Sequence, residues 1–130
     1  MKPLTFDTHL GRLTMEQYLG LAEGMSPKVA GRMLTLAADY ANDIVGLHGD
    51  CLDPRHDRAT LAHLGRAATR AETRLAQLLV LAAQHCGEPT LADIPRAIRS
   101  TMKTAGHLRS AICLMAIDAE QRGRDDRIAA

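Results

Sequence analysis

The chain has 130 residues, 46% of them hydrophobic, with 16 Lys/Arg against 15 Asp/Glu, three Cys, no Trp, one Phe and two Tyr. That length and apolar content suit one domain with its own core, no stretch approaches the eighteen or so apolar residues of a membrane helix, and an odd cysteine count with no CxxC pair excludes a complete intramolecular disulfide set. The apolar half is aliphatic, which favours helices over the strands that β-branched and aromatic residues prefer.

Charge is unevenly spread. Residues 1–54 hold four Lys/Arg against seven Asp/Glu, residues 55–109 nine against four, and residues 110–130 three against four. The basic middle points to an acidic partner, at a density below that of dedicated nucleic-acid binders. Residues 1–12 lack a basic region followed by an apolar run, so the expected location is the reducing cytoplasm.

Residues 1–13 contain Pro3 and Gly11, show neither helical nor strand periodicity, and are expected to be an irregular arm. A first, short helix begins at the capping-box pattern Thr14 to Gln17 and is expected to stop near Gly24. Ser26-Pro27 restarts the chain as an N-cap and first helical residue. Val29, Met33, Leu36, Tyr40, Ile44 and Leu47 then mark one helical face, with Gly46 and Gly49 as the expected stop.

A third helix, about Asp57 to Cys86, carries a heptad seam at Leu61, Leu64, Ala68, Ala71, Leu75, Leu78 and Ala82, with Gly87 as its expected C-cap. A fourth begins near Asp93 or Pro95 and runs to about Arg122. Its core face is Ile94, Ile98, Met102, Ala105, Leu108, Ile112, Met115 and Ala119, with Gly106 a weak point. The predicted fold is therefore all-α: an antiparallel bundle of three long helices and one short N-terminal helix. Residues 78–83 and 111–117 are apolar on nearly every side, which predicts a homodimer with these stretches as its interface.

Four constellations are candidates for function. The loop His48 to Asp57 holds His48, Cys51 and His56, all metal-binding types, but at no recognised ligand spacing; a capped polar turn explains it, and no metal or cofactor is assigned. The segment Ala62-His63-Leu64-Gly65-Arg66-Ala67 resembles histidine phosphotransfer domains, with glycine placed before the basic residue instead of after it. That resemblance implies phosphoryl transfer on an exposed His63. Arg58 and His63 also resemble the Arg-x4-His pattern of helical nucleases, although five residues turn a helix by about 500° and leave the two side chains about 140° apart.

Residues 22–34, Ala22 to Leu34, resemble the turn and second helix of helix-turn-helix regulators. The resemblance implies DNA contacts from Ser26, Lys28 and Arg32. Finally, Arg66, Arg70 and Arg74 on the third helix, and Arg96, Arg99 and Lys103 with His107 on the fourth, form stripes facing away from the core, and Glu72 is the only carboxylate between Arg58 and Arg74. Two antiparallel neighbours are expected to join these stripes into one positive surface.

No Ser-His-Asp set, paired catalytic carboxylates or phosphate-binding glycine loop is visible, so no catalytic residue is assigned. The leading expectation is a non-enzymatic helical module that docks onto another macromolecule, a protein partner first, through the basic face. The alternatives are a helical DNA- or RNA-binding regulator and a phosphotransfer domain or other enzyme using His63.

Overall fold

In the computed structural model, which describes residues 5–8, 11–87 and 91–129, three long helices pack against one another. Short strands β1 (Thr5–Thr8) and β2 (Gly11–Thr14) precede α1 (Met15–Leu19), a single 3-10 turn (Leu21–Glu23), α2 (Pro27–Cys51), α3 (Arg58–His85) and α4 (Asp93–Ala129). The all-α bundle expected from the aliphatic periodicity is the observed architecture.

The segment expected to be irregular instead forms an antiparallel hairpin, in register Thr5 with Thr14, Phe6 with Leu13, Asp7 with Arg12 and Thr8 with Gly11. Each strand is four residues long and holds a single large apolar residue, Phe6 or Leu13, so no alternation can be read from either. The pairing succeeds because both sit in one cross-strand pair and Gly11 takes φ +103°, a backbone state that glycine adopts without strain. Phe6 then meets Tyr18 of α1 edge-on, with ring centroids 5.1 Å apart. Residues 1–4 and 9–10 lie outside the described residues.

The helix boundaries follow capping chemistry. Thr14 Oγ1 accepts from the Gln17 N–H at 3.2 Å while the Gln17 side chain accepts from the Thr14 N–H at 3.0 Å, closing the capping box. Helix α1 ends at Gly20 rather than near Gly24, because Gly20 adopts φ 74° and its N–H closes onto Glu16 and Gln17 carbonyls. Ser26 Oγ accepts from the Val29 N–H, and Asp57 Oδ1 from the Thr60 N–H at 2.8 Å.

Helix α2 runs through Gly46 and Gly49 to Cys51 instead of stopping at them. Each glycine costs a helix about 1 kcal/mol, and burial of Ile44 and Cys51 with half-burial of Leu47 outweighs that cost. The α3 C-cap is Cys86, one residue before the expected Gly87. Pro95 lies in the first turn of α4, where no intrahelical hydrogen bond is lost. That helix passes Arg122 and continues to Ala129, with Arg122 on Asp118 and Arg124 on Glu120 as i,i+4 ion pairs beyond buried Ala119.

One core holds the bundle together. Leu75 and Leu78 of the seam and Ile112 of the α4 core face are fully buried as expected, alongside Met33, Ile44 and Ile98. Met15, Leu19 and Leu21 join the same cluster, so the short N-terminal elements seal it. The apolar stretch at the end of α3 is largely covered within the protein itself: Leu78, Leu81 and Ala82 are buried, while Val80 is half exposed. Its counterpart in α4 is different, with Leu114 and Ile117 65% and 64% exposed. Among the described residues no helix is long and apolar enough to cross a membrane.

Candidate interaction surface

Helices α3 and α4 are antiparallel, and side chains fix their register at three levels. Arg58 reaches Glu120 at 3.7 Å and lies over Gly123, where a Cβ would come within 2.7 Å of its guanidinium carbon. Gly65 faces Cys113 and Ala116, whose Sγ and Cβ lie 3.9 and 3.8 Å from where its own Cβ would stand. Arg109 Nε donates to Glu72 Oε2 at 3.1 Å, with both side chains about two-thirds or more buried, and this hydrogen bond raises the Arg109 pKa. The carboxylate rests over Gly106, 3.3 Å from the position of an added Cβ. The expected weak point in α4 is therefore a close-approach site.

Small residues at the middle level leave the helices' outer surfaces apart. The result is an open groove of about 650 Å³, floored by Ala62, Gly65, Cys113 and Ala116 and edged by Arg66 and Arg70 on α3 and Ile117 and Glu120 on α4. Thr69 donates its hydroxyl to the Gly65 carbonyl at 2.9 Å, and the Cys113 thiol lies 3.8 Å from that hydroxyl. Cys51 and Cys86, by contrast, are buried, and desolvation raises both their pKa values.

The basic residues fall into two clusters rather than one continuous surface. Arg66 and Arg70 border the groove, while Arg70 and half-buried Arg74 also face Asp43 and Asp50 of α2 across a second hollow. Arg74 is close enough for its charge to offset part of the rise that burial imposes on the Tyr40 phenol. Arg99 and Lys103 edge a third hollow beside Met102, Gly106 and the Glu72–Arg109 pair. At 1.5 Å per residue, Lys103 lies about 18 Å along α4 from the level of Arg66. Arg96 is exposed and pairs with exposed Asp93 at 3.8 Å.

The remaining candidates are placed as follows. Ser26 is occupied as the α2 cap, Arg32 donates to the Leu19 carbonyl at 3.5 Å, and Lys28 is exposed. A five-residue helix precedes this corner, so Arg32 ties α2 to the end of α1. In the loop after α2, Asp53 chelates Arg55, with Nη2 at 2.8 Å, and its pKa is lowered first by that side-chain bond. Asp57 is lowered by the Thr60 backbone N–H, and Cys51 faces the core. Among the described residues no three or more His, Cys, Asp or Glu gather to hold a metal ion. His63 is exposed on α3.

Sequence reasoning missed the groove and the Glu72–Arg109 pair. A signal for the pair existed: neither residue has an oppositely charged residue three or four positions away on its own helix, so each needs a partner from elsewhere. Comparison with protein-family models, curated proteins and solved structures finds no match to this chain.

Proposed function

We propose that this protein is a non-enzymatic docking module that binds an acidic protein partner through the exposed cations of α4. The observation that carries the proposal is the row Arg96, Arg99 and Lys103. All three are solvent-exposed, and among the described residues Arg99 and Lys103 have no carboxylate partner, since Glu72 is taken by Arg109. Two unneutralised charges one turn apart beside partly buried Met102 suit an acidic helix or loop.

A protein fits better than a nucleic-acid backbone. Two of the α3 arginines, Arg70 and Arg74, share a hollow with Asp43 and Asp50, so the positive surface is interrupted where a duplex needs it continuous. Ser26 is taken up as the α2 cap and Arg32 donates to the Leu19 carbonyl at 3.5 Å, which leaves the helix-turn-helix alternative with less support.

The test is fluorescence titration with a fluorescein-labelled polyglutamate peptide and, separately, with random duplex DNA at low and moderate salt. Peptide binding that drops about tenfold in the Arg99→Glu/Lys103→Glu variant supports the proposal. Duplex binding with a steep salt slope and no peptide binding would transfer the row to nucleic acid. Absence of both overturns it.

A further inference from the structure

We infer that the acidic partner segment is an amphipathic helix lying along the outer groove between α3 and α4. Its apolar stripe covers Gly65, Cys113 and Ala116, and its carboxylates meet Arg66 and Arg70 toward one end and Arg99 and Lys103 toward the other. The inference rests on the docking function proposed above and adds which kind of segment docks and where.

The two basic clusters open onto one line. The hollow beside Arg99 and Lys103 and the groove beside Arg66 and Arg70 are each walled by residues of α3 and α4. On α4 the line passes through Lys103, Gly106, Ser110, Cys113 and Ile117, in steps of three and four residues that keep one helical face. Ser110 and Cys113 on α4, and Glu72 and Thr69 on α3, bring the two hollows within one turn of each other.

Charge along that line is unbalanced. Its two carboxylates are already held by arginines, Glu72 by Arg109 at 3.1 Å and Glu120 by Arg58 and Arg124 at 3.7 and 3.9 Å. Arg66, Arg70, Arg99 and Lys103 are exposed and make no ion pair among the described residues. Between them the floor of Ala62, Gly65, Cys113 and Ala116 is apolar, and Ile117 at its edge is 64% exposed. The complement of such a surface is acidic at its margins and apolar at its centre.

Backbone chemistry selects a helix. The walls are themselves helices, whose N–H and C=O groups are spent within α3 and α4, so an extended segment laid on the apolar floor would leave its own backbone groups unpaired. A helix brings its hydrogen bonds with it and sets large side chains over the small ones of the floor. A small ligand fits less well, because an open groove leaves much of it in water. The two cation clusters are about 18 Å apart along the groove, a span that about 12 helical residues cover.

The test titrates the intact chain with a fluorescein-labelled peptide of about 18 residues, leucines at three- and four-residue spacing and glutamates flanking them at both ends. A scrambled isomer of identical composition and polyglutamate are titrated beside it. The amphipathic peptide is expected to bind about tenfold more tightly than its isomer, through burial of leucine in the groove, and to slow the reaction of the Cys113 thiol with an aromatic disulfide reagent. Ile117→Glu should bring its affinity down to that of the isomer with an unchanged far-ultraviolet spectrum, since the position is exposed in the free chain. Arg66→Glu/Arg70→Glu should weaken the amphipathic peptide about tenfold. Equal affinity for both peptides, with polyglutamate bound through Arg99 and Lys103, would overturn the helix and leave the acidic-partner reading standing. No binding by any of the three would sink both. A Cys113 rate unchanged at saturating peptide would place the peptide elsewhere and overturn the inference. So would a wild type that sediments as a dimer dispersed by Ile117→Glu, which would give the groove to a second copy.

Discussion

Asp57 carries the start of α3 on one hydrogen bond, and the Thr60 N–H that it accepts holds its carboxyl below the ordinary carboxylate range. A carboxyl whose folded pKa is depressed contributes stability that is present above its unfolded value, about 4, and is lost as pH falls through the folded one. Asparagine caps helices about as well and does not titrate in this range. Asp57→Asn is therefore expected to lose less stability than the wild type between about pH 5 and pH 2, while Asp57→Ala lowers the melting temperature at every pH. Thermal melts across that range test this, and parallel acid limbs for wild type and Asn would show that the cap carries no charge-dependent stability. Asp53, lowered by its bond to Arg55, titrates in the same direction and is common to all three proteins. The difference between variants therefore isolates Asp57.

At the scale of elements, the α3 seam is the organising feature, since α3 packs against both α2 and α4. Leu75 is fully buried at its centre. Truncation there removes transfer free energy and leaves a void between three helices that cannot all close in. Leu75→Ala is expected to cost about 2–5 kcal/mol, a large part of the 5–15 kcal/mol typical of a domain. A urea midpoint unchanged from wild type would place the core elsewhere. The hairpin contributes on a smaller scale. Its Asp7–Arg12 pair is exposed on both sides and adds little, while Phe6 against Tyr18 and partly buried Leu13 hold it beside α1.

Across the whole molecule, the three thiols report on different depths of the fold. Cys51 and Cys86 are buried in the core cluster, and desolvation keeps them protonated and unreactive, whereas Cys113 opens onto the α3–α4 groove. Dilute native protein is expected to show one fast-reacting thiol per chain toward an aromatic disulfide reagent, with the other two reacting only after unfolding. Three equally fast thiols would contradict the placement of α2 and α3.

Fold class, the three long helices and the buried face of each were determined by the sequence itself. Apolar spacing at Leu64, Leu75, Leu78, Ile98 and Ile112 and caps at Thr14, Ser26 and Asp57 act locally and are written at neighbouring positions. The hairpin was not legible, because one apolar residue per strand has no period. The ends of α2 and α4 were misjudged: packing overrode the glycines of α2, and α4 continues past Arg122 to Ala129. The candidate site depended most on tertiary structure. Stripe geometry on a single helix establishes that Arg66, Arg70, Arg99 and Lys103 point outward, but how two stripes align depends on helix register. The fit of Glu72 over Gly106 and of Gly65 against Ala116 sets that register, and residues so far apart in the chain carry no local signal of meeting. Only the packing of α3 on α4 separates the basic clusters and opens the groove between the two helices.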